Sequence, residues 1–257
     1  MMKFSFGIIT NKGENLDLIL KSIIKQVPDD NFEIIIVGNC SFNTIHKNIK
    51  QIDFDESIKP AWITKKKNII TENASFENIV YMHDYITLEE NWYSGFIKFG
   101  NDWDVCINPI INLDNTRFRD LNIYPFYSEL SMVTNENLNC FKKDDLYIQI
   151  PGMNKFECLI PYNLPQEQIN QFKKWQYISG SYWIAKKKVM EEFPLNNNLI
   201  WCESEDIEWS ERVKEIYSFS FNINSVVKIQ KQKPVIFNKI SNNSLDYFFN
   251  KYHYNKK

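Results

Sequence analysis

Apolar residues fall along this chain in short runs, some continuous and some spaced by three and four. Lys3–Thr10 (KFSFGIIT) is a β-rich run that ends in the polar turn Asn11-Lys12-Gly13-Glu14. Asn15–Gln26 places Leu16, Ile19, Leu20, Ile23 and Ile24 on one helical face, and Val27-Pro28-Asp29-Asp30 stops that helix. Phe32–Val37 (FEIIIV) is unbroken apolar sequence, the pattern of a strand covered on both faces of a parallel sheet. Strand, helix and strand in that order make a βαβ unit. The alternation continues with Trp62–Thr64 as a third strand, Lys66–Ala74 as a helix and Asn78–Met82 as a buried strand. Leu88–Phe99 follows as a helix and Asp104–Ile107 as a strand. The expected fold class is α/β, a mostly parallel central sheet flanked by helices.

From Asn108 to about Gln176 the periodicity breaks down. Pro109, Pro125, Pro151, Pro161 and Pro165 interrupt a stretch rich in polar and aromatic residues. It reads as an irregular insertion over one end of the sheet, where a substrate is covered. Regular pattern returns with Tyr177–Ala185 as a strand and with helices over Lys186–Phe193 and Glu205–Glu215. Ser225–Ile229 and Val235–Phe237 are short strands, and the tail Tyr247–Lys257 is aromatic and basic.

Composition narrows the function classes. The chain has 257 residues with 44% hydrophobic content, enough for a sizeable core, and is read as one domain over residues 1–257. Thirty basic residues against 32 acidic ones leave a net charge of −2. A general nucleic-acid binder, which draws its affinity from neutralised phosphates, is excluded. Cys40, Cys106, Cys140, Cys158 and Cys202 are odd in number and widely spread, with no zinc-like or disulfide-like spacing. A reducing, cytoplasmic compartment fits them. No signal peptide and no apolar run of the ~18–20 residues that span a bilayer is present. The basic, aromatic tail leaves room for peripheral membrane contact.

In open parallel sheets ligands bind beyond the carboxyl ends of the strands. The expected strand tips are Thr10-Asn11, Gly38-Asn39-Cys40-Ser41 and His83-Asp84-Tyr85. Neither GxGxxG nor GxxxxGK[ST] occurs, so the dinucleotide fingerprint and the P-loop are absent. A carboxylate at Asp84 suits a hard cation held against a diphosphate, or simply a turn. Glu203, Glu205, Asp206, Glu208 and Glu211 crowd into nine positions. Such residues complement a helix N-terminus, and at this spacing like charges also raise one another's pKa and suit general-base work. Gly180 interrupts a predicted strand, as a bulge or for close approach to a ligand.

The order of these segments resembles the GT-A glycosyltransferases, and within them the family-2-like nucleotide-sugar transferases. Phe6-Gly7-Ile8-Ile9-Thr10-Asn11 is similar to that family's opening strand, and Glu33-Ile34-Ile35-Ile36-Val37-Gly38-Asn39-Cys40-Ser41 to its "EIIVVDDGS" segment. Lys67-Asn68, with Ala74 through Tyr85, resembles "RN…A…geyivflDdD". Ile178-Ser179-Gly180-Ser181-Tyr182-Trp183 resembles the acceptor-side glycine loop, and Glu205-Asp206-Ile207-Glu208-Trp209-Ser210-Glu211-Arg212 the "EDxelsxR" motif. These landmarks cover roughly residues 3–215.

The resemblance implies a GT-A, Rossmann-like sheet and transfer of a sugar from a UDP- or GDP-type donor to a hydroxyl of a glycan or lipid-linked acceptor. Residues 1–107 would form the nucleotide-sugar half and 108–257 the acceptor half. Asp206 would be the catalytic base of an inverting enzyme, with Glu205 shaping the acceptor site. Thr10, Asn11, Asn39, Lys67, His83, Asp84 and Tyr85 would surround the donor. Gly180, Trp183 and Trp201 would border sugar and acceptor. Asp84, with His83, would hold Mn²⁺ or Mg²⁺.

The chain departs from the pattern at three places. Gly38 stands where the family has Asp. His83 and Tyr85 flank Asp84 where the family has carboxylates. Lys228-Ile229-Gln230-Lys231-Gln232-Lys233 lacks the family's later His and offers lysines that neutralise a diphosphate as point charges; His253 lies beyond, in the tail. Tyr124, Phe126, Tyr127, Trp175 and Tyr182 are candidate stacking surfaces for sugars or else core. Two other readings stand beside the transferase: a nucleotidyltransferase, and a non-catalytic glycan- or protein-binding module on a degenerate GT-A scaffold.

Overall fold

The structure, a computed structural model, describes residues 1–115, 117–120, 122–123, 147–149, 156–159 and 176–231. Its centre is β1 (Phe4–Ile9), buried along its whole length. β2 (Phe32–Val37) and β4 (Asn78–His83) flank it in parallel register, with Phe4 opposite Phe32 on one side and Asn78 on the other. β3 (Ile49–Ile52) extends the β2 edge. Beyond β4 come β12 (Tyr182–Lys186), β6 (Val105–Ile107) and β13 (Phe219–Phe221), so the seven strands run β13-β6-β12-β4-β1-β2-β3. Only β12 is antiparallel to its neighbours. The expected mostly parallel sheet with flanking helices is therefore the observed architecture.

Strand alternation divides the core. On one face Phe4, Phe6 and Ile8 meet Leu16, Ile19, Leu20 and Ile23 of α1 (Leu16–Gln26) and Trp92 and Phe96 of α3 (Trp92–Phe99). On the other, Ile35, Val37, Ile79, Tyr81 and Trp183 pack under three helices. These are α2 (Ile63–Asn73), α4 (Lys187–Glu192) and α5 (Glu205–Val213). A three-stranded sheet lies to one side: β5 (Ile86–Leu88), β14 (Val227–Ile229) and β7 (Ile110–Ile111). Within the expected irregular insertion, β8 (Asn122–Ile123), β9 (Tyr147–Gln149), β10 (Phe156–Leu159) and β11 (Gln176–Tyr177) form a small antiparallel sheet.

Four element assignments change. The third strand is Ile49–Ile52 rather than Trp62–Thr64; its Ile-Lys-Gln-Ile sequence lies on a half-exposed sheet edge and leaves little apolar signal. Trp62 instead precedes α2, which begins earlier than expected, with Ile63 packed into the core and Thr64 buried on Leu199 O. Leu88 ends β5 rather than opening a helix, and Asn91, in the left-handed region at φ 68°, separates it from α3. The run Tyr177–Ala185 is split between two sheets by a turn closed by Tyr182 N donating to Ser179 O at 3.2 Å. Val235–Phe237, the tail Tyr247–Lys257 with His253, and Tyr124, Phe126, Tyr127 and Trp175 lie outside the described residues. Among the described residues no helix is long and apolar enough to cross a membrane.

Candidate active site

The carboxyl ends of β1, β2 and β4 meet, as the parallel topology requires. Thr10 follows β1 and is buried. Its hydroxyl donates to Asp84 Oδ2 at 2.6 Å and accepts from Gly13 N at 2.9 Å. Thr10 O accepts from Lys66 Nζ at 2.8 Å, and the same ammonium reaches Asn11 Oδ1 at 2.5 Å and forms an ion pair with Glu56. Asn39 turns its Oδ1 to the Phe54 N–H at 2.9 Å, which shapes the loop after β2. Asp84 is also held from its backbone, where Asn15 Nδ2 donates to its carbonyl at 3.3 Å.

The second cluster is built by α2, the turn before β12 and the start of α5. Gly180 N donates to Asp206 Oδ2 at 3.0 Å and Ile207 N to Asp206 Oδ1 at 2.9 Å, so both oxygens of that carboxylate are oriented by backbone. Ser210 donates to Asp206 O at 2.6 Å and accepts from Ile178 N at 3.0 Å, tying α5 to the turn. Lys67 is 1% exposed, and its ammonium donates to Gly180 O at 2.9 Å. A Cβ at Gly180 would lie 3.0 Å from Glu205 Oε1 and 3.1 Å from Asp206 Oδ2, so the missing side chain lets the turn sit directly on the acidic pair. Burial lifts the Glu205 carboxyl to about 7; the Asp206 charge adds to the rise and Lys67 opposes it. Burial likewise lowers the Lys67 ammonium, while Glu205 and Asp206 pull it back up.

Tyr85 bridges the two clusters. Its hydroxyl lies 3.2 Å from Ser181 Oγ, while Ser181 O accepts from His83 N at 3.2 Å. Ser181 adjoins Gly180, which holds Asp206. Asp84 and Asp206 are thus linked through Tyr85 and the residue 180–181 turn, although 122 positions separate them (206 minus 84). Burial raises the Tyr85 phenol; the Ser181 bond opposes this, and the charges of Asp84 and Glu205 add to it.

Thr10, Asn11, Asn39, His83, Asp84 and Tyr85 fall on the first cluster, and Gly180, Glu205 and Asp206 on the second. Lys67, expected at the donor, donates to Gly180 O beside the acidic pair. Trp201 is 58% exposed beside the loop into α5, with its N–H on Ala61 O at 3.0 Å. Trp183 is a correction. It is wholly buried between Tyr81, stacked at 4.3 Å, and Trp209 at 4.5 Å, so it belongs to the core and cannot border an acceptor. Tyr182 is core as well, with its hydroxyl on Trp92 Nε1 and Asn108. Two contributors escaped the sequence. Lys66 lies in a run of three lysines whose buried side no periodicity reveals, and Ser181 is indistinguishable from any turn serine.

A divalent cation held against phosphate takes one or two protein carboxylates besides phosphate oxygens and water. This loop offers a single carboxylate, Asp84, whose Oδ2 already receives the Thr10 hydroxyl. The His83 ring lies 5.2 Å from that of Tyr85, and the next position is a buried phenol. Among the described residues, no three His, Cys, Asp or Glu side chains gather as a metal-binding group. Among the described residues, Asp84 alone, with one oxygen already engaged, is the low end of that range, so this loop fits a firmly held divalent ion poorly.

No family model matches the sequence, and no curated protein matches it. The structure is similar to a crystal structure of GalNAc-T7 with UDP, GalNAc and Mn²⁺, at a TM-score of 0.58 and 12% identity over 89% of this chain. The fold is GT-A. The chain spans 44% of the length of that protein. Crystal structures of S. aureus TarS residues 1–349, one of them in complex with UDP-GlcNAc, align at a TM-score of 0.48. They show 15% and 14% identity over 90% of this chain and 59% and 57% of theirs, a superposition too loose to add to the GT-A assignment.

Proposed function

We propose that this GT-A chain is a glycosyltransferase, moving a sugar from a UDP- or GDP-type donor to a hydroxyl of a glycan or lipid-linked acceptor with inversion. The observation that carries this reading is the continuity of Asp84, Tyr85, Ser181, Gly180 and Asp206 at the carboxyl end of the sheet. A donor phosphate side and a carboxylate base side thereby share one site. Residues 1–107 would supply the donor side, and 108–257 the base and acceptor side.

The chemistry follows from the second cluster. An acceptor hydroxyl is a weak nucleophile and needs a base in the transition state. Asp206 is oriented by two backbone N–H groups at the first turn of α5. Glu205, titrating near neutrality, keeps the adjacent pair from carrying two full charges, and the buried Lys67 faces both. Asp206 takes the hydroxyl proton, the oxygen attacks the anomeric carbon, and the bond to the diphosphate breaks on the opposite face. That in-line geometry inverts the anomeric centre.

Asp206→Asn keeps the shape and removes the base. Transfer should fall by at least ~10²-fold, while calorimetric affinity for the nucleotide stays within about twofold, since this carboxylate would face the acceptor. Undiminished transfer in that variant would remove the assignment. The altered His83-Asp84-Tyr85 loop motivates the rival reading of a non-catalytic binding module; a chain that binds a glycan but no nucleotide sugar would favour it.

A further inference from the structure

We propose that Lys231 binds the diphosphate of the donor and supplies the positive charge that stabilises it, so that nucleotide binding needs no divalent cation. This rests on the nucleotide-sugar reading above.

The placement is built by the side sheet. β14 pairs antiparallel with β5, Ile229 opposite Ile86. Immediately after it, Gln230 N donates to Tyr85 O at 2.7 Å and Gln230 Nε2 to Thr87 Oγ1 at 2.6 Å. These bonds hold the chain against the loop that carries Asp84. Lys231 then lays its ammonium 4.0 Å from the centroid of the Tyr85 ring. A cation on a ring face is attracted by the ring's quadrupole.

Three other lysines near the loop are committed elsewhere. Lys66 is bound to Thr10, Asn11 and Glu56, and Lys67 to Gly180 beside the acidic pair. Lys228 donates to Asn115 Oδ1 at 2.8 Å. Lys231 is exposed and has no carboxylate or hydrogen-bond partner among the described residues. A departing nucleoside diphosphate brings several negative charges to a place that already holds Asp84, and something cationic must face them. Among the described residues Asp84 is the one carboxylate this loop offers a metal, and the Lys231 ammonium lies on the ring of the residue next to it. A lysine acts on phosphate as a mobile point charge, which suits a leaving group that gains charge as it departs.

The test is calorimetry on the full chain with UDP and GDP, and with UMP and GMP, first in EDTA and then with Mn²⁺. One diphosphate should bind in EDTA and more tightly than its monophosphate. Lys231→Met should weaken the diphosphate by about tenfold, the loss of one charge-assisted contact, and leave the monophosphate within about twofold, while melting with the parent. Lys231→Arg should restore most of the difference. Diphosphate binding that is unchanged in Lys231→Met, or that appears only with Mn²⁺, overturns the inference and leaves the donor reading intact. If neither nucleotide binds with or without Mn²⁺, the donor reading falls and takes this inference with it.

Discussion

At Gly38 the backbone has φ 144°, and a Cβ there would lie 2.0 Å from Thr10 O. An aspartate, the residue expected by resemblance, has no room in this local geometry, because the β2 tip sits directly on the β1 tip. At Glu205 the local physics is electrostatic. Its carboxyl is raised from 4.5 to about 7 by burial and by Asp206, with Lys67 opposing. Between those two values the folded chain holds a proton that the unfolded chain has lost. Stability from this group therefore falls as pH rises through the window. Glu205→Gln should remove that slope and be more stable than the parent above pH 7, by at most about 3–4 kcal/mol. Denaturant melts from pH 4.5 to 8 measure it; parallel slopes for parent and variant would contradict the shift. Acidic crowding at 203–211 was legible in the sequence, but not which carboxylate is buried, since that depends on Lys67 and Gly180 arriving from other elements.

At the scale of elements, α2 organises the entry to α5. Asn68 is buried, with Oδ1 accepting from Leu195 N at 3.0 Å and Nδ2 donating to Leu195 O at 2.8 Å and Asn197 Oδ1 at 2.9 Å. Thr64 donates to Leu199 O at 2.7 Å, and Trp201 N reaches Ala61 O. The loop from 195 to 203, which delivers Glu205 and Asp206, is thus pinned by α2 and the residues just before it. Asn68→Ala strips partners from a buried amide and carbonyl and should destabilise the chain by about 2–3 kcal/mol. Transfer should fall in the same variant as the acidic pair loses its register. Thermal melts and initial rates check both; a variant that melts and turns over like the parent would show the loop is held elsewhere. The strong apolar strands and α1 were plain from the sequence because burial on both faces, or on one helical stripe, writes itself into the spacing. β3 and β5 were missed because short or edge strands bury too little to leave such a trace.

Across the whole molecule, residues 1–107 and 108–257 are interleaved. β12, from the second half, lies between β4 and β6 of the first, and β13 closes the far edge. A chain ended after Ile107 would expose apolar ladder edges on β4 and β6 and lose Trp183 and Trp209 from the core. It should fail to give a cooperative melt, while the full chain unfolds in one transition. A cooperative melt of the fragment would instead mark residues 1–107 as an independent unit.

The chain by itself determined the alternation of strands and helices, the balance of charge, and the residue types at each strand tip. Those follow from local periodicity and composition, which need no partner. Tertiary structure alone decided that Trp183 is core, that Lys67 serves the acidic pair, and that Tyr85 and Ser181 join Asp84 to Asp206. These are contacts between segments distant in sequence, set by which strand lies beside which, and no local pattern encodes that order.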